Sequence, residues 1–147
     1  ISAGNQHCLA LGLDGSVYAW GYGRYGKLGN GDATATTYAW PIDITGNGAL
    51  PAAGGAGRII QVVAGLDSSY ALGADGSVYS WGEGAEYQRG DNDSTESQPD
   101  PVLISGLGAF ADLKPSDGTA YSRVVYLSTH PSGEADVVFA LDNSSLL

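Results

Sequence analysis

Residues 10–23 and 71–84 are near copies of one another. The first stretch runs Ala10-Leu11-Gly12-Leu13-Asp14-Gly15-Ser16-Val17-Tyr18-Ala19-Trp20-Gly21-Tyr22-Gly23. The second runs Ala71-Leu72-Gly73-Ala74-Asp75-Gly76-Ser77-Val78-Tyr79-Ser80-Trp81-Gly82-Glu83-Gly84, and 11 of the 14 positions agree. The offset is 81 − 20 = 61 residues. It also carries Ala3-Gly4 onto Ala64-Gly65 and Gly29 onto Gly90, while Pro41 to Gly46 matches Pro101 to Gly106 at an offset of 60. The repeating object is thus a whole unit of about sixty residues. Units that recur in this way bury their apolar faces against their neighbours, so the repeat constrains the fold more than any single motif does.

Each unit reads as four short strands. In the second, residues 59–64 are β-branched and apolar, and residues 69–72 form the next strand. Asp75-Gly76 is a tight-turn signal, because both residues tolerate positive φ. Residues 77–81 return antiparallel, with Val78 and Ser80 on one side and Tyr79 and Trp81 on the other. A polar loop over 82–98 precedes a fourth strand expected at 101–105, where Pro101 suits an outer edge. In the third, decayed unit, residues 122–127 are expected in the first-strand place and 136–141 in the second. The expected fold class is all-β, a β-propeller fragment of about two to two and a half four-stranded antiparallel blades. The units are read at about 1–46, 59–106 and 122–147. The chain opens on Ile1 without Met and closes on Leu147 inside the pattern, so it is expected to be part of a larger ring.

Composition agrees with many tight turns: there are 23 glycines and no collagen-like period. Six Lys and Arg against 16 Asp and Glu give a formal net charge of −10. Such a surface repels phosphate and anionic lipid, so neither nucleic acid nor membrane is an expected partner. A protein with a basic surface suits it better. One cysteine excludes an internal disulfide, and no apolar run has the length of a spanning helix. With no initiator Met, a missing signal peptide says nothing, so the compartment is unknown.

The order Ala-Gly, then Ala-Leu-x-x-Asp-Gly-x-Val-Tyr-x-Trp-Gly-x-Gly, resembles the repeat of the regulator of chromosome condensation family. The first unit fits it from Ala3-Gly4-Asn5-Gln6-His7-Cys8-Leu9-Ala10-Leu11 through Tyr25-Gly26-Lys27-Leu28-Gly29-Asn30-Gly31-Asp32. Cys8 stands where the family usually has Ser, and Lys27 where it usually has Gln. The second unit has Ser68 in the place of His7, and Tyr87-Gln88-Arg89-Gly90 in place of Gly26-Lys27-Leu28-Gly29. The resemblance is strong over residues 1–106 and faint over 122–147, and it implies a seven-bladed ring of four-stranded sheets. Trp-Asp-type and kelch-type propellers fit less well, for want of a Trp-Asp ending and of a Gly-Gly doublet after the second strand.

Several motifs have plainer readings than their patterns suggest. Gly21-Tyr22-Gly23-Arg24-Tyr25-Gly26 is a literal G-x-G-x-x-G, but no helical period follows it, so its glycines are read as structural. Residues 91–96 look faintly like a calcium loop but lack the Gly at its sixth place and the later bidentate Glu, so a solvated acidic loop is expected. His7, Cys8 and His130 have no metal-ligand spacing, and Cys8 is read as a small buried side chain. Trp20 with Trp81, and Tyr18 with Tyr79, recur at single repeat positions and are expected to pack between blades. The unrepeated Trp40 is either a contact residue or loop packing. Asn92-Asp93-Ser94 and Asn143-Ser144-Ser145 fit the glycosylation rule, which matters only in a secreted protein.

The two units agree in strands and differ in loops. Asn5, Gln6 and His7 become Leu66, Asp67 and Ser68; Tyr22, Arg24 and Tyr25 become Glu83, Ala85 and Glu86. A non-catalytic protein–protein interaction scaffold presenting variable loops on one face is therefore expected. Its candidate contact residues are Asn5, Gln6, His7, Tyr22, Arg24, Tyr25, Leu66, Asp67, Ser68, Glu83 and Glu86. No catalytic, cofactor or metal residues are assigned. The resemblance also implies two alternatives: guanine-nucleotide exchange on a small GTPase, or inhibition of a secreted enzyme. Open strand edges and blade faces further suggest self-association.

Overall fold

The structure is a computed structural model that describes residues 1–105, 109–110, 112–115, 123–129 and 135–142. Three antiparallel sheets follow one another along the chain. The first holds β1 (Ser2–Ala3), β2 (His7–Leu11), β3 (Val17–Tyr22) and β4 (Thr37–Asp43), in that order across the sheet. The second holds β5 (Ile59–Ala64), β6 (Ser68–Gly73), β7 (Val78–Glu83) and β8 (Ser97–Leu103), again in sequence order. The third pairs β9 (Asp112–Pro115), β10 (Arg123–Thr129) and β11 (Ala135–Asp142), with β10 in the middle. A 3-10 turn, Arg24–Gly26, follows β3.

The Asp-Gly pairs do what their chemistry allows. Asp14 and Asp75 each accept a hydrogen bond on Oδ1 from the backbone N–H two residues on, Ser16 and Ser77, at 3.0 Å. Gly15 and Gly76 then take φ of +93° and +85°. Space confines these positions as well as conformation. A Cβ on Gly15 would lie 2.8 Å from Arg58 Cβ, and one on Gly76 2.6 Å from Ala109 Cβ, so each hairpin abuts the chain entering the next sheet.

The sheets stack face to face. Leu9, Val17, Ala19, Leu28, Ile44 and Leu50 from the first unit form one buried cluster with Ile59, Val62, Ala64, Ala71, Tyr79 and Trp81 from the second. The opposite face of the second sheet offers Val63, Tyr70, Leu72, Val78 and Ile104 to Phe110 and Leu113 of the third unit. The alternation of Val78 against Tyr79 and Trp81 is thus realised, each set serving a different neighbour. Trp81 is fully buried, and burying an indole of that size contributes on the order of 4 kcal/mol. Its counterpart Trp20 is half-buried, on the face of the first sheet that looks away from the second.

The strands differ from the sequence reading in three places. The fourth strand of the second sheet starts at Ser97 rather than Pro101, because Ser97 and Gln98 still pair with Glu83 and Gly82. Proline is tolerated there because this is an outer strand. Its free carbonyls are taken by loops of the first unit: Gly31 N–H donates to Pro99 O at 3.1 Å and Ala49 N–H to Pro101 O at 2.8 Å. His7 and Ser68 lie within β2 and β6, and Tyr22 and Glu83 close β3 and β7, so these four are strand residues and not loop residues. In the third sheet β9 precedes the segment expected to lead. Leu113 of β9 exchanges two hydrogen bonds with the Gln61 amide of β5, donating its N–H at 2.7 Å and accepting from Nε2. Arg123–Thr129 consequently stands second. With Leu113 flanked by Asp112 and Lys114, β9 was too short and too polar to stand out. His130 and Asn143-Ser144-Ser145 lie outside the described residues.

Candidate functional site

The loops that differ between units meet at one end of the first two blades. Each is built on the same backbone scaffold. Tyr22 N–H donates to Gln6 O at 2.7 Å in the first, and Glu83 N–H to Asp67 O at 2.9 Å in the second. Gly4 N–H to His7 O and Gly65 N–H to Ser68 O close equivalent turns, at 2.9 and 2.8 Å. The two loops touch directly, since Asn5 N–H reaches the carbonyls of Gly65 and Leu66.

Lys27 ties this end together. It is 1 % exposed, and its Nζ donates to Asp67 Oδ1 at 2.6 Å and to Asn5 O at 3.1 Å. The same ammonium lies 5.2 Å from the centroid of the Tyr22 ring, within cation–π reach. Its backbone carbonyl accepts from Ser69 Oγ at 2.7 Å and from Trp81 Nε1 at 3.0 Å. Ser69 has one hydroxyl hydrogen and gives it to Lys27 O, so at the 2.9 Å contact with His7 Nε2 the imidazole donates. His7 Nδ1 lies 3.5 Å from the carbonyl of Asn5. Burial, and then the nearby Lys27 charge, lower the His7 pKa to about 4.

The candidate contact residues therefore divide. Asn5, Gln6, Arg24 and Glu86 are exposed, and Tyr22, Tyr25, Leu66, Asp67 and Glu83 are partly so. His7 and Ser68 are not surface residues: at 2 % and 1 % exposure they are held inward by their strand positions. Ser68 Oγ lies 3.1 Å from Tyr70 OH, which donates to Gln88 O. These two support the face without presenting a side chain to a partner. Gln6, Gly21, Tyr22, Arg24 and Thr37 line an open recess of about 560 Å³. The Arg24 guanidinium stacks 4.5 Å above the Tyr25 ring, and both Gln6 and Tyr25 adopt φ of +65°. Such left-handed backbone is uncommon for residues with side chains and concentrates at functional loops.

On the second blade the face is acidic. Glu83 has a raised pKa, chiefly through burial and then through the Asp67 charge. The acidic loop beyond it is folded around a cation of its own. Arg89, fully buried, donates from Nε to Asp91 Oδ2 at 2.8 Å, from Nη1 to Thr95 O at 2.7 Å and Gly82 O at 3.2 Å, and from Nη2 to Asp93 O at 3.2 Å. A guanidinium thus occupies the middle of the loop whose sequence faintly resembled a calcium site. Among the described residues, no group of three or more His, Cys, Asp or Glu could hold a metal ion. Lys27 and Arg89 escaped the sequence reading as supports, although Arg89 is the one cation of the second polar loop. Trp40 is 81 % exposed on β4 and does not pack against the described loops.

A family profile described as the regulator of chromosome condensation (RCC1) repeat matches residues 14–72 and 75–114, and a second RCC1 profile matches 59–88. The chain belongs to the RCC1 repeat family. Both long RCC1 matches begin at or just before a hairpin turn and run into the next sheet, the second ending within β9. Mouse (Mus musculus) E3 ubiquitin-protein ligase HERC2 is 34 % identical over 129 residues, covering 87 % of this chain and 2 % of its own length. Protein pim1 of Schizosaccharomyces pombe is 36 % identical over 111 residues, 71 % of this chain and 20 % of its own. The RCC1-type structure of Prp20p from Saccharomyces cerevisiae superposes with a TM-score of 0.66 at 21 % identity. It covers 98 % of this chain and 32 % of Prp20p, and was described with its binding properties to Gsp1p and histones. Human WBSCR16 gives a TM-score of 0.64 at 23 % identity, with 94 % and 36 % covered. The chain thus spans a small part of the RCC1 relatives it matches. The fold is that of RCC1 propeller blades, all-β and partial.

Proposed function

We propose that this RCC1-repeat segment is a non-catalytic protein–protein interaction scaffold, and that its contact surface is the end of the first two blades around Lys27. The observation that carries this is the contrast between copies. The hairpins and the loop-end backbone hydrogen bonds of the two units correspond at the 61-residue offset, while the exposed and partly exposed positions raised on them change from Gln6, Tyr22, Arg24 and Tyr25 to Asp67, Glu83, Ala85 and Glu86. A surface whose supports are uniform and whose presented chemistry varies is suited to recognition. Candidate partners are best found by proximity labelling from the full-length protein. A variant with Gln6, Tyr22 and Glu86 all changed to alanine is then compared with the parent. Loss of the labelled partners with an unchanged melt supports the reading; an unchanged partner set would sink it.

A second reading, guanine-nucleotide exchange on a small GTPase, is favoured by the likeness to Prp20p, which is described as binding Gsp1p. Release of labelled nucleotide from a panel of small GTPases separates the two. Acceleration that depends on these loops would favour exchange over a passive scaffold.

A further inference from the structure

The charges of the contact surface are not evenly spread. Of the cationic side chains whose exposure is described, Lys27 and Arg89 are buried and ion-paired, and Arg24 and Arg58 are exposed. Arg58 belongs to the hairpin end, beside Gly15, which leaves Arg24 as the exposed cation at the loop end. No described carboxylate lies within ion-pair distance of it, although the chain carries a net charge of −10. Its guanidinium is held by stacking on Tyr25 at the wall of the recess formed with Gln6, Tyr22 and Thr37. An exposed guanidinium with no ion pair among the described residues, stacked on Tyr25 beside an open recess, is suited to receive a planar anion.

The corresponding positions of the second blade are acidic where those of the first are neutral, and of the three carboxylates Asp67 is paired with Lys27. Gln6 corresponds to Asp67, Tyr22 to Glu83 and Tyr25 to Glu86, all at the 61-residue offset. The two halves are joined through Lys27, which touches Tyr22 on one side and Asp67 on the other. Like charges brought onto either half cost binding energy, so the pair of halves selects both the composition and the direction of what lies across it.

We propose that the loop end of the two blades is an electrically bipolar docking surface for an extended protein segment. A carboxylate of that segment seats on Arg24 in the Gln6–Tyr22–Thr37 recess, and a Lys or Arg further along lies over Glu83 and Glu86. The inference rests on the interaction-scaffold reading above and specifies its ligand.

Selection of random peptides displayed on phage against the whole chain tests it. Enriched peptides are expected to carry an acidic and a basic residue in a preferred order. Arg24→Glu is expected to lower recovery of those peptides at least tenfold, and the Arg24→Glu, Glu86→Arg pair to enrich peptides of reversed order. Arg24 and Glu86 are exposed, so both variants should melt like the parent. Enrichment that needs Gln6 and Tyr22 but ignores charge, or that is unchanged by Arg24→Glu, overturns the bipolar surface and leaves the scaffold reading standing. The bipolar surface is overturned equally if a single-stranded oligonucleotide competes for the recess as well as the peptides do. Failure of every loop-end substitution to alter any enrichment would sink the scaffold reading itself.

Discussion

Trp81 donates its indole N–H to the main-chain carbonyl of Lys27 in the preceding unit, 3.0 Å away, while its ring fills the cluster between the first two sheets. One residue thus supplies both apolar burial and a directed bond across the junction. Trp81→Ala should cost about 3–5 kcal/mol in denaturant unfolding, the usual range for emptying a buried aromatic site. Trp81→Phe should cost about 1–2 kcal/mol more than Trp20→Phe, because Trp20 is only half-buried and Lys27 O would keep just one of its two donors. Equal costs for the two Phe variants would refute this role of Trp81 at the junction.

Lys27 offers a second test. Its ammonium is buried against Asp67, and removing one member of a buried pair strands the other charge. Lys27→Met should destabilise the chain by about 3 kcal/mol, discounted because Asp67 is 18 % exposed. Adding Asp67→Asn should recover part of that loss, whereas simple additivity of the two substitutions would show that the pair is not coupled. A double-mutant cycle by urea denaturation measures it directly.

The fold was legible because it is written twice. Eleven agreements in 14 positions located both hairpins, and alternation placed Val78 opposite Tyr79 and Trp81. Elements defined by a single copy were harder to see. In β9 the buried Leu113 is recognised by a glutamine from another strand, a contact without local pattern. The candidate face was readable as divergence between copies, but divergence does not reveal direction. His7 and Ser68 differ between units as the exposed positions do, yet both point inward. Lys27 was invisible as a support because the offset aligns it with Gln88, while the second loop draws its cation from the next position, Arg89.

His7 makes stability depend on pH. Its folded pKa, about 4, lies below the ordinary value of 6.5, so protonation favours the unfolded chain. The contribution is fully present above pH 6.5 and is lost as pH falls toward 4. The difference corresponds to about 3 kcal/mol by linkage. Unfolding followed at several pH values should show stability declining through this window. His7→Asn should flatten that part of the profile, since an amide can donate to Ser69 without titrating. A profile identical in parent and variant would remove His7 from the explanation.

Arg89 supplies the last test. Its guanidinium is surrounded by oxygens of Gly82, Asp91, Asp93 and Thr95, and among the described residues it is the cation that neutralises the centre of that loop. Arg89→Ala should leave two carboxylates and three carbonyls converging on an empty space the shape of a guanidinium. The loop over residues 84–96 should then open, read as faster amide exchange for Gly84, Gly90 and Thr95, whose N–H groups are bonded within it. Guanidinium ion at low millimolar concentration, far below denaturing levels, should slow that exchange again in the variant but not in the parent. Sodium at the same ionic strength should not, because the gap is matched by planar N–H donors and not by charge alone. If exchange in the variant equals that of the parent without any added ion, the cation is not what holds this loop closed.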